Sequence, residues 1–203
     1  MQFEHAGKRP TVDPSAWVAP DATLAGDVTV ASGARVLHGA RVIGEAGGAV
    51  RIGHNTIVLE NAVVRATARH DCQIGDHCVL GPHTHVAGAT VADEVFIATG
   101  ASVMHGAVLG RGAEVRINAV VHIRTRLDAG ATVPIGWVAV GDPARILPPG
   151  EHEAIWAVQG PLDFPRWVYD VDRAGPDAMV RIARRLSEEL GAHRADTPTD
   201  DDA

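Results

Sequence analysis

The sequence predicts an all-β solenoid, short strands wound into stacked coils around one aliphatic column, with a C-terminal helical appendage. Two observations carry that prediction. Aliphatic residues recur at every sixth position from Leu24 to Leu127 with few interruptions. Neither the 3.6-residue period of a helix nor the two-residue alternation of a long strand fits that spacing. Aromatic residues make up only 4% of the chain, and Trp137, Trp156 and Trp167 lie in its last third. The core of the first two thirds must therefore be built from Val, Ile, Leu and Ala.

Cut into sixes from Ile74, the chain reads IGDHCV, LGPHTH, a five-residue VAGAT, VADEVF, IATGAS, VMHGAV, LGRGAE, VRINAV, VHIRTR and LDAGAT. Upstream, LAGDVT, VASGAR and VLHGAR run from Leu24, and IGHNTI, VLENAV and VRATAR from Ile52. The first residue of each block is expected inside, with the small or β-branched fifth residue beside it. Gly and Asp between them suit tight turns. Two segments break the phase: VIGEAGGAVR between Val42 and Ile52, and HDCQ before IGDHCV. Loops expelled from a rigid solenoid are natural mounts for binding groups.

After Pro148-Pro149 the period ends. EHEAIWAVQ predicts a short helix and GPLDFPRWVYDVDRAGP an irregular connector, whose aromatics anchor it to the prism or form a substrate lip. Met179, Val180, Ile182, Ala183, Leu186 and Leu190 form the apolar stripe of a helix beginning at Pro176-Asp177. The expected organisation is an N-terminal segment 1–16, a solenoid 17–149, a connector and helix 150–194, and a disordered acidic tail 195–203.

A net charge of −7 with no basic stripe argues against nucleic-acid binding. No apolar run approaches the ~20 residues of a membrane span, and MQFEHAGKRP lacks a signal-peptide core, so a cytoplasmic location is expected. Cys72 and Cys78, six apart and without CxxC partners, read as reduced thiols.

The hexads resemble those of the left-handed parallel β-helix, the triangular prism of hexapeptide-repeat proteins. Within that superfamily the chain is most similar to γ-class carbonic anhydrases between about Trp17 and Pro149. WVAPDATLAGDV, the five-residue hexad after LGPHTH, and VPIGWVAVGDPAR carry the resemblance. The resemblance implies a homotrimer, with zinc or iron held by three histidines between subunits to activate water against carbon dioxide. Those positions fall on Arg65, Pro82 and Ala87. The family's arginine and aspartate fall on Ile43 and Glu45, and its glutamine on Leu59. The architecture is retained while the metal ligands are replaced.

Several readings remain. His83 and His85 flank inward Thr84, an H-x-H pair able to supply two zinc ligands, with His70 as a third. Without metal, His83 or His85 is a candidate general base oriented by Glu60 or Asp71, with Arg65 and Arg116 binding a carboxylate or phosphate. Asn61 and Thr99 lie on the same side and complete the expected substrate-binding set. Hexapeptide acyltransferases use a cleft histidine in this way, with coenzyme A along the prism. The leading expectation is therefore an enzyme acting on a small molecule or acyl thioester at an inter-subunit cleft. A carbonic anhydrase with relocated ligands and a non-catalytic trimeric scaffold are the alternatives. His38, His54, His77, His105 and His122 are read as face decoration or subunit contacts.

Overall fold

The computed structural model describes residues 1–199. The prism is a left-handed parallel β-helix. Its three faces are a ten-stranded sheet and two seven-stranded sheets, each coil contributing one strand to each face. The interior is the predicted column: Ile74, Leu80, Val86, Val91, Ile97, Val103, Leu109, Val115, Val121, Leu127 and Val133 are all buried. The small fifth residues Cys78, Thr84, Ala101, Ala107, Ala113, Ala119 and Thr125 are buried beside them. Short strands with no internal hydrogen bonds persist because each pairs in register with the coils above and below.

Register records every interruption of the sixfold phase. On the first face Leu24 pairs with Val42, eighteen residues on, as three full hexads require. Val42 pairs with Val64 and Val64 with Val86, each twenty-two residues apart, because the 45–49 and 67–70 segments are looped out. Val86 pairs with Val103 after only seventeen, the cost of the five-residue hexad.

The helix also begins earlier than expected. Gln2–Glu4, Thr11–Val12 and Trp17–Val18 form a first coil, so the N-terminal segment is solenoid rather than leader to it. At the other end Val138–Val140 turns back antiparallel onto Arg145–Leu147 and closes the prism.

Three helices follow: α1 (His152–Leu162), α2 (Phe164–Tyr169) and α3 (Ala178–Leu190). α2 corrects the expectation of an irregular connector; Asp163 caps it and Pro165 sits in its first turn, where a missing N–H costs nothing. In α3 only Ile182 is buried; Leu186, half-buried, and Leu190, largely exposed, line the cleft, while Met179 and Val180 lie exposed. The tail is not free: Thr197–Pro198 pairs antiparallel with Phe3–Glu4. Residues 200–203 of the predicted disordered tail lie outside the described residues.

Candidate active-site cleft

The looped-out 45–49 segment makes the floor. Strand Arg41–Gly44 ends in the 3-10 turn Glu45–Gly47, in which Ala46 has φ +49. The turn swings Glu45 back over the first face, where it is buried and accepts a hydrogen bond from Arg65 Nη2 at 2.9 Å. Arg65 lies on strand Val63–Ala66 between Ile43 and Ala87 of the neighbouring coils. Above this floor lies a cleft of about 340 Å³, walled by Thr67, Ala68 and Arg69 on one side and by Tyr169, Arg185 and Leu186 on the other. His85 and His105 reach into it.

His105 owes its place to a glycine. Gly88, at φ +55, stands at the corner one coil away; its N–H donates to the Arg65 carbonyl at 2.9 Å and its own carbonyl accepts from the Gly106 N–H at 2.7 Å. A Cβ at 88 would lie 2.5 Å from the His70 Cβ and 3.1 Å from His105 Cδ2. Only glycine lets the two rings close here, with centroids 5.6 Å apart. Trp167 of α2 covers the corner, 5.2 Å from the His70 ring and 4.7 Å from the Arg124 guanidinium. The connector's aromatics therefore serve mainly as anchors, although Tyr169 does line the cleft.

Burial decides the charge of the histidines. It pushes the His105 pKa down to about 4, helped by His70, His85 and Arg65. Burial, then Arg65, also holds His85 below the ordinary imidazole range. Both rings are neutral at pH 7 and can accept a proton or a hydrogen bond. His105 Nδ1 and Arg65 Nε are buried without a hydrogen-bond partner among the described residues. Such groups are costly unless something binds them. Arg185 is braced by Glu189 at 3.0 Å and by the Tyr169 carbonyl at 3.1 Å, and Arg69 by Asp170 at 3.6 Å. Arg65, Arg69 and Arg185 line the cleft beside Glu45 and Glu189, and Asp170 lies 3.9 Å from Arg185 as well.

The other predicted site residues lie elsewhere. His83 is not on a strand beside His85: it occupies the corner, exposed, at φ +58. Gly39, Asn61, His83, Gly100 and Asn118 stack there, each amide bonded to the carbonyl before the equivalent residue one coil earlier from Asn61 onward, all at positive φ. Asn and His tolerate that conformation better than most residues. Glu60, Asn61, Thr99 and Arg116 share this edge and are exposed; Arg116 pairs with Glu114. His70 stands against His105 and Trp167, not with His83. Among the described residues the histidine and acidic side chains that converge at metal-binding spacing are His5, Glu45 and His193. His83, His85 and His70 do not form such a group within one protomer. Cys72 is buried, its thiol pushed up to about 12 by burial, which removes it as a nucleophile at neutral pH.

Of the cleft residues, Arg65 and His85 are marked by the sequence, while His105, Arg69 and Arg185 are not. Coil register was the available signal for His105, seventeen residues after Gly88 across a five-residue hexad. No sequence period reports on Arg185, which is brought in by helix packing.

No family model matches the chain. Over 104 residues it is 34% identical to Gamma carbonic anhydrase 1, mitochondrial, of Arabidopsis thaliana, a match spanning 48% of this chain. The chain covers 36% of that relative's length. Among solved structures it superposes on a Bacillus cereus protein assigned as an acetyltransferase, with TM-score 0.53 and 16% identity over 92% of this chain and 95% of that one. The fold is the hexapeptide-repeat left-handed β-helix. A hexapeptide transferase family protein from Anaplasma phagocytophilum gives TM-score 0.49 at 23% identity, over 91% of this chain and 95% of that one. The prism thus carries, over 48% of the chain, a sequence similar to that of a γ-carbonic anhydrase. No helix among the described residues is long and apolar enough to cross a membrane.

Proposed function

We propose that the chain is an enzyme acting on a small molecule with an acyl or anionic group, acyl thioesters of the coenzyme A kind included, in the cleft beneath α3. One observation carries the reading: His85 and His105, both neutral at pH 7, face the same cavity as Arg65, Arg69 and Arg185. The arginines suit a carboxylate or phosphate. His85, less depressed and less buried than His105, is the better base near neutral pH.

In an acyl transfer, His85 removes the proton from the acceptor's hydroxyl or amine as it attacks the thioester carbonyl. The Arg65 guanidinium, which lines the cleft, hydrogen-bonds the oxyanion that forms. Collapse breaks the carbon–sulfur bond, and the proton on His85 passes to the departing thiolate. His105 presents a fixed hydrogen-bonding nitrogen to the substrate.

Zinc at the positions implied by the γ-carbonic-anhydrase resemblance does not fit this chain. Arg65 is a cation with donors only, already committed to Glu45, and Pro82 and Ala87 offer no ligand atom. Homotrimer formation is part of the proposal. It would set the edge carrying Glu60, Asn61, His83, Thr99 and Arg116 against a neighbour's cleft and cover exposed Met179 and Val180 of α3.

The test is thiol release from acetyl-coenzyme A with a panel of small amines and alcohols, alongside carbon dioxide hydration and light scattering. Turnover is expected to fall about 100-fold or more in His85→Ala and Arg65→Ala. Turnover unchanged in both variants would overturn the reading. Carbon dioxide hydration with stoichiometric zinc, lost in His83→Ala, would favour relocated ligands instead. Absence of every activity and of ligand binding would favour a scaffold.

A further inference from the structure

The two ends of the chain meet beside the cleft, in a cluster that the proposed chemistry does not use. His5 follows strand Gln2–Glu4 and is buried. His193 lies in the 3-10 turn Gly191–Ala195 that continues α3. The two imidazoles stack, centroids 4.3 Å apart and planes 24° apart. Asp196 holds both: Nδ1 of His5 donates to Oδ1 and Nδ1 of His193 to Oδ2, each at 2.7 Å. The Nδ1 proton of each ring is thereby held by Asp196, and Nε2 of each ring is left facing Glu45.

Both Nε2 atoms turn toward the carboxylate of Glu45. His193 Nε2 is 3.1 Å from each oxygen, and His5 Nε2 is 4.0 Å from Oε2. A bare nitrogen lone pair so near a carboxylate is repulsive, so a cation belongs in the gap: either a proton on each ring or one metal ion shared by all three groups. The three ligating atoms lie within 4.8 Å of one another. Ligands of a tetrahedral zinc stand roughly 3.3 Å apart. His193 and Glu45 already meet that spacing, and His5 falls short of Glu45 by less than 1 Å. A carboxylate on the far nitrogen of each imidazole is the outer-shell arrangement that orients metal-binding histidines.

We propose that His5, Glu45 and His193 bind one divalent transition metal of the zinc class, with Asp196 orienting both imidazoles. No residue of this site coincides with positions 65, 82 and 87. The ion ties the turn after α3 to the first coil of the prism and to Glu45, whose Oε1 also holds Arg65. It thereby fixes α3 as a wall of the cleft.

The test uses metal-stripped full-length protein, titrated with Zn²⁺ by calorimetry and with Co²⁺ by visible absorption, so no catalytic activity is needed. One ion per chain is expected to bind and to raise the unfolding midpoint. Binding should be lost in His193→Ala and in His5→Gln, and weakened about 10- to 100-fold in Asp196→Ala. His83→Ala and His85→Ala should bind as the parent does. His193 is partly exposed, so its alanine variant is expected to fold; far-ultraviolet circular dichroism verifies this. No stoichiometric uptake, or uptake that survives both His193→Ala and His5→Gln, would overturn the site and leave protons as the cations between the carboxylates.

Discussion

Gly88 and His105 approach so closely across neighbouring coils that a Cβ on residue 88 would stand 3.1 Å from the imidazole Cδ2. Gly88→Ala therefore meets two obstacles: a left-handed φ of +55 and contact with His70 at 2.5 Å. Gly112, at φ +67 with nothing within 4 Å, supplies a control that carries the conformational strain alone. Gly112→Ala is expected to lose about 1–2 kcal/mol in urea unfolding. Gly88→Ala should lose more, and its turnover should fall with the displacement of His105.

Arg65 links the cleft to Glu45. Arg65→Ala leaves that carboxylate buried with His193, and His5 at 4.0 Å, as its remaining side-chain partners. Stability is expected to drop by about 1–2 kcal/mol, read from the urea midpoint, since Arg65 is partly solvated. Arg65→Lys should restore part of the stability but little of the turnover, because an ammonium lacks the guanidinium's planar set of donors.

The half-buried His105 makes stability sensitive to acid. Its folded pKa of about 4 lies below the unfolded value of 6.5. Above 6.5 the ring is neutral in both states. Between 6.5 and about 4 the unfolded chain binds a proton that the folded chain refuses, so stability falls as pH falls. Below about 4 this contribution levels off. His105→Gln should flatten the dependence of the urea midpoint on pH across that window.

His83 occupies a corner that selects for conformation. His83→Asn is expected to stay within about 0.5 kcal/mol of the parent, since Asn61 and Asn118 fill the same corner one and two coils away. His83→Val should lose about 1–2 kcal/mol, a β-branched side chain being poorly suited to φ +58. Equal stability of the two variants would contradict this account of the corner.

Leu80 and Thr84 probe the interior of one coil. Leu80 is fully buried, and Leu80→Ala should lose about 2–5 kcal/mol. The Thr84 hydroxyl is buried without a partner among the described residues, so Thr84→Val should be neutral or gain up to about 1 kcal/mol. Thermal and urea unfolding read both.

The hexads by themselves determined the prism. Every first-position aliphatic from Ile74 to Val133 is inside, and the looped-out segments near Glu45 and Arg69 appear as register jumps at the places where the phase breaks. A six-residue period is local: each block specifies its own strand, turn and inward residue, and stacking repeats the result. Strand alternation misled for His83, because a corner interrupts the strand between it and His85.

The cleft and the end-to-end cluster were decided by tertiary structure. Arg185 reaches the first face through helix packing, His105 through contact between coils, and His193 meets His5 across nearly the whole chain. Such meetings depend on where an aperiodic helix settles against a periodic wall. That is a balance of apolar burial and ion pairs between distant segments, and no repeat in the sequence encodes it.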